Sequence, residues 1–240
     1  MRALLTAVLL VLMLGVAGCG SGDNGTLTVF AAASLTEVLP TIDEEVLYNF
    51  AGSGDLATQI REGAKADVFA AASPKYPSEL FAEGLVEGPR VFATNELVLI
   101  VPKDNPAGIG SVEDLRTNGV KLVVGAEGVP VGDYTRKVLE NLQALDVLDN
   151  VVSAEDDVKG VVGKVALGEA DAGFVYATDV KAVAEDVQVI ELPDEAQPTV
   201  EYVVAVVRDG EHPDRAGAFV DRLLGEEGRV ALVQAGFGVP

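Results

Sequence analysis

Leu27-Thr28-Val29-Phe30-Ala31-Ala32-Ala33-Ser34-Leu35-Thr36-Glu37 is the stretch from which the rest of this chain can be read. An apolar run ends in three alanines, and a serine then opens a helical pattern. Ser34 and Glu37 have capping-box spacing, which predicts Ser34 at a helix N-terminus. A strand that hands over to a helix through small residues and a hydroxyl aims free backbone N–H groups at an anion. Larger side chains than alanine would block close approach. The same residues equally suit a serine that only caps its helix. Recurrence of the pattern decides between the two.

It does recur. Gly52-Ser53-Gly54 leads a glycine-flanked serine into a helical pattern, and Gly128-Val129-Pro130-Val131-Gly132 leads a Pro-Gly loop into another. Glu155-Asp156-Asp157-Val158 opens a further helix, with Asp157 as its simplest cap. Phe174-Val175-Tyr176 ends a strand on a tyrosine, a position that also suits a half-buried ring with its hydroxyl in water. Each segment alone is ordinary strand–helix punctuation.

Short apolar runs at 27–30, 67–71, 92–101, 122–125, 172–176, 187–192 and 201–207 read as strands. Helical patterns lie between them, at 133–145 and 157–167, with Gly168 as a stop, and at 216–224 and 227–235, the last stopped by Gly236. Ser111 to Asp114 is another capping signal. Alternation of this kind means an α/β fold with mainly parallel sheets. The long strands 92–101 and 201–207 are expected to run from one lobe into another. That division gives a discontinuous first lobe, 26–94 plus 202–240, and a second lobe, 95–201.

Met1-Arg2, an apolar core to Gly15 and then Val16-Ala17-Gly18-Cys19 read as an export leader over 1–18. The last four residues resemble a bacterial lipobox, whose cysteine carries lipid. Residues 19–25 form a flexible tether. Cys19 is the only cysteine, so no disulfide forms within the chain. A net charge of −21 argues against nucleic acid and against docking on anionic lipid by charge. The single histidine, His212, sits in a Glu-His-Pro context that reads as a surface turn. No nucleophile elbow, zinc set or P-loop occurs, so no enzymatic constellation is present.

Val29 to Leu35, Phe50 to Gly54, Ala66 to Ala70, Val129 to Tyr134, Glu155 to Gly160, Phe174 to Tyr176 and Gly236-Phe237 together resemble the molybdate-binding proteins of ABC importers. The match runs in order along the whole chain after the leader. The resemblance implies a two-lobed periplasmic-binding fold (type II-like), two mainly parallel sheets flanked by helices, with two hinge-crossing strands. It implies capture of molybdate and tungstate between the lobes by neutral donors. The alternative is the same architecture for another ligand, such as sulfate or a small organic anion. The implied ligands are Ser34 and Ser53 through hydroxyl and N–H, the backbone N–H groups of Val131 and Val158, and the Tyr176 hydroxyl, with Ala33 and Gly54 flanking them. Metal enters only as the molybdate oxyanion, and no cofactor is expected. The implied partners are an ABC permease and the membrane, the latter through lipid on Cys19. An extracytoplasmic monomer that binds no nucleic acid is expected. Asp55 stands where a neutral residue is usual, Val131 where alanine is usual, and 36–50 is shorter than the family pattern. No group of the expected shell titrates near neutrality.

Overall fold

The computed structural model describes residues 25–240; the expected leader, the lipobox with Cys19 and most of the tether lie outside the described residues. Strand β1 (Thr28–Ala32) leads through a 3₁₀ turn at Ala33–Leu35 into the short helix α1 (Leu39–Ile42). β2 (Leu47–Ala51), α2 (Ser53–Arg61), β3 (Val68–Ala71), α3 (Lys75–Ala82) and β4 (Val86–Asn95) follow. The chain then forms β5 (Leu97–Pro102), β6 (Leu122–Gly125), α4 (Pro130–Asn141), β7 (Val151–Glu155), α5 (Val158–Ala166), β8 (Ala172–Tyr176) and β9 (Val187–Glu191). β10 (Val200–Val207), α6 (Pro213–Leu224) and α7 (Glu226–Ala235) complete it.

The strands form two five-stranded sheets, ordered β2-β1-β3-β10-β4 and β7-β6-β8-β5-β9. Each has one antiparallel member: β10 runs against β3 and β4, and β5 against β8 and β9. That member is in each case the first strand laid down after the chain crosses from the other sheet. β3, β5, β6 and β8 are buried along their whole length, as expected of strands covered by helices on both faces.

The crossings differ from the expected continuous strands. Residues 92–101 split at Glu96: β4 belongs to the first sheet and β5 to the second. β10 lies wholly in the first sheet, so the return crossing is the non-strand segment 192–199 ahead of it. Gln197 ties the two crossings together. Its Oε1 accepts from Leu97 N at 3.1 Å, and its Nε2 donates to Leu97 O at 2.8 Å.

Three local expectations also change. Ser34 does not cap a helix: it lies inside the 3₁₀ turn, whose N-cap is Ala32. Glu37 turns outward toward Lys159, at 3.7 Å, so the capping box never forms. At 110–114 the cap runs in the other direction, with the Asp114 carboxylate accepting from Gly110 N, Ser111 N and the Ser111 hydroxyl. His212 is buried rather than on a surface turn, and its backbone N–H donates to Asp67 Oδ1 at 2.8 Å.

Candidate functional site

The C-terminal ends of parallel strands are where open α/β sheets place their ligands. Here the ends of β1, β2, β3 and β8 meet the starts of α2, α4 and α5 around one cavity of about 20 Å³. On the same measure a single water needs about 10–15 Å³, so the space suits a compact polyatomic ion and little more. Ala32, Ala33, Ser34, Ala51, Gly52, Ser53 and Ala72 form its first-lobe wall. Val129, Pro130, Val131, Asp157, Val158 and Tyr176 form the other.

The structure thus brings Ser34, Ser53, Val131, Val158 and Tyr176 together, with Ala33 beside them. Gly54 is not on this wall. It lies under the Tyr76 hydroxyl, which a Cβ at Gly54 would meet at 2.9 Å. Asp55, which would repel an anion if it faced the cavity, is solvent-exposed and does not line it.

Each wall has a physical basis for holding negative charge. α4 begins with Pro130, whose missing N–H costs nothing at that position, so Val131 and Gly132 offer the first free amides. Gly132 is required there, because a Cβ would sit 2.2 Å from Gly125 O at the end of β6. α5 begins at Val158, and its cap Asp157 turns its carboxylate onto Gly160 N at 3.0 Å. Asp157 therefore reaches the cavity wall with its charge engaged at its own helix. α2 begins at Ser53. Three helix N-termini converge, each carrying roughly half a positive charge. Local positive potential thus exists in a chain of net charge −21 without a cationic side chain on the wall.

The serines are held from behind. Ser53 Oγ accepts from Ala72 N at 3.1 Å, and Ser34 Oγ lies 2.9 Å from the Tyr202 hydroxyl. Tyr176 is 1% exposed, and its hydroxyl has no hydrogen-bond partner among the described residues. Burial, the largest cause, holds its pKa well above the usual phenol value, so it stays a neutral donor. A buried hydroxyl without a partner costs about 1–3 kcal/mol, which an oxyanion acceptor would remove.

Across the cleft the lobes already touch. The Tyr76 hydroxyl donates to Gly128 O, Lys75 pairs with Asp133 at 3.5 Å, and Lys159 spans to Glu37. A Cβ at Gly52 would meet Asp156 O at 2.2 Å, so only glycine allows this approach.

Three residues near the site carried no local signal in the sequence, Asn95, Asp179 and Tyr202, and Lys159, within the segment 155–160, had no role read for it. Asp179 lies one turn past Tyr176, 1% exposed, with Lys159 Nζ 3.3 Å from its Oδ1. Burial raises its carboxyl to about 6 against the pull of Lys159. Asp179 is not a member of the expected shell, whose groups were expected not to titrate near neutrality; it adds a titrating carboxyl just behind the cavity wall.

Residues 27–238 match the family model described as bacterial extracellular solute-binding protein. The chain is 36% identical over 250 residues to the molybdate-binding protein ModA of Mycobacterium tuberculosis, covering 95% of each chain. It is 32% identical over 244 residues to ModA of Escherichia coli, again covering 95% of each. Among solved structures, the periplasmic molybdate-binding protein of Azotobacter vinelandii superposes with a TM-score of 0.79 at 22% identity, covering 89% of this chain and 99% of that one.

Proposed function

Since the chain belongs to the bacterial extracellular solute-binding proteins, which serve transporters and are not enzymes, we propose that it captures molybdate for an ABC importer. The observation that carries this reading is the buried, unpartnered Tyr176 hydroxyl on the wall of a cavity ringed by helix N-termini. A dehydrated dianion needs acceptor-matched donors on every side, and a carboxylate or a bulky side chain would defeat it. Ser34 and Ser53 supply hydroxyl and N–H donors from the first lobe. Val131 N–H, Val158 N–H and the Tyr176 hydroxyl supply the second. Tungstate, of the same shape and charge, occupies the same donors. The two lobes, one built on each sheet, close on the anion by bending at Glu96 and at 192–199. Lipid on Cys19 tethers the protein at the outer face of the membrane, beside the permease that takes the anion.

Titration calorimetry with molybdate, tungstate, sulfate and phosphate tests the reading. Molybdate and tungstate should bind at one site each and exclude one another, with sulfate weaker and phosphate weakest. Sulfate as the tightest ligand, or no heat with any tetrahedral oxyanion, would overturn it.

A further inference from the structure

The Tyr202 hydroxyl is buried behind Ser34, and the direction of its hydrogen bonds can be worked out from a backbone group. Glu96 N–H donates to Asn95 Oδ1 at 2.9 Å, which fixes the orientation of the Asn95 amide. Asn95 Nδ2 then faces Thr178 Oγ1 at 2.9 Å and the Tyr202 hydroxyl at 3.4 Å. An amide nitrogen only donates, so the Tyr202 oxygen accepts. Its one proton is left for Ser34 Oγ, 2.9 Å away. Edge contacts from Phe92, Tyr176 and Phe237 hold the Tyr202 ring in place. Ser34 Oγ, receiving that proton, keeps its own free for the cavity. Ser53 reaches the same state more simply, because Ala72 N–H is a donor that cannot reverse.

We infer that Asn95 and Tyr202 are positioning residues that hold the Ser34 hydroxyl as a donor and so select fully deprotonated oxyanions over protonated ones. This rests on the oxyanion reading above. An anion that keeps a proton needs an acceptor in the site. Ser34 is the one hydroxyl on the wall whose polarity depends on side chains behind it. The relay also begins where the chain crosses between lobes, at Asn95 and Glu96. Movement of that crossing would therefore alter the polarity of Ser34.

The test compares wild type, Tyr202→Phe, Asn95→Asp and the double variant, using molybdate calorimetry, displacement of bound molybdate by phosphate, and melting temperature. Asn95→Asp turns the amide donor into an acceptor. Tyr202 then donates backward, Ser34 donates to Tyr202, and a lone pair faces the anion. Molybdate affinity should fall about a hundredfold. Tyr202→Phe frees Ser34 to rotate; molybdate should weaken only about fivefold, and phosphate should displace it at about tenfold lower concentration. The double variant cannot pass the reversal on to Ser34, so it should bind molybdate better than Asn95→Asp does. A double variant no better than Asn95→Asp overturns the inference. So does a Tyr202→Phe protein in which the displacing phosphate concentration falls only by the factor that molybdate affinity falls, since that identifies Tyr202 as packing alone. Tyr202→Phe keeps every ring contact, so the phosphate measurement decides even if Asn95→Asp fails to fold. Failure of wild type to bind molybdate would instead defeat the oxyanion reading itself.

Discussion

In the proposed site the first lobe meets the cavity with two serines, through hydroxyl and N–H, and the second meets it with backbone N–H groups and one phenol. On the first side the proposed donors are Ser34 and Ser53, each held from behind by a hydrogen bond, Ser53 from Ala72 N–H and Ser34 with the Tyr202 hydroxyl. On the second side the amides of Val131 and Val158 are fixed by the helices that begin there, and the side chains of both residues are packed away. One half of the site can be edited by changing side chains. The other half, apart from the Tyr176 phenol, is a property of the fold and yields only when the fold or its closure is disturbed.

The severest disturbance is steric. Gly52 has ordinary extended dihedrals, φ −60° and ψ 136°, so alanine costs the isolated first lobe little. In the closed molecule its Cβ would press on Asp156 O. Gly52→Ala should therefore weaken molybdate binding by about two decades or more while leaving the melting temperature of the free chain near wild type. Wild-type affinity in this variant would mean that the lobes need not approach as closely as they do here.

Next comes the contrast between the halves. Ser34→Ala and Ser53→Ala each remove a hydrogen bond to a charged ligand and should weaken binding by about one to two decades. Val131→Ala and Val158→Ala remove buried methyl groups but no donor. They should lower the melting temperature while leaving affinity within about threefold of wild type. Calorimetry and thermal melts on all four variants separate the effects. Large affinity losses at the valines with small ones at the serines would reverse the assignment of the two halves.

Sequence patterning revealed the central strands because covered strands are continuous apolar runs. β6 and β8 lie where the runs predict them. The strands it missed, β2 and β7, are the outermost members of the two sheets on equivalent edges. Both are only partly buried, so neither forms an apolar run. The break at Glu96 was hidden because apolar residues continue on both sides of it. At the cavity, the resemblance pointed to the residues now found around it, and local chemistry pointed to the helix starts. Asn95 and Tyr202 were not legible. Their contacts span 107 and 168 positions, which leave no mark on neighbouring sequence. Asp179 was hidden for the same reason: its burial is tertiary.

The smallest expected effect concerns that carboxyl, and it joins the two halves. Lys159 and the cap Asp157 face Asp179 from α5, with the Tyr176 and Tyr202 phenols from β8 and β10. The phenols stay neutral, burial holding both well above their usual range. Asp179, raised to about 6, is the group that titrates. Its folded pKa lies above the unfolded value, so its proton stabilises the fold at low pH, and that contribution is lost as pH rises from about 4 through 6. A dianion in the cavity adds negative charge nearby and raises the carboxyl further. Binding therefore takes up protons, and molybdate affinity should rise as pH falls from about 8 to 6, by roughly two- to fivefold. Calorimetry in buffers of different ionisation heat measures the proton uptake directly. Asp179→Asn should abolish the uptake, flatten the affinity profile and remove this group's share of the stability slope between about pH 4 and 6. An uptake that persists in Asp179→Asn would assign the proton to another group, and a flat profile in wild type would mean that the bound anion does not sense this carboxyl.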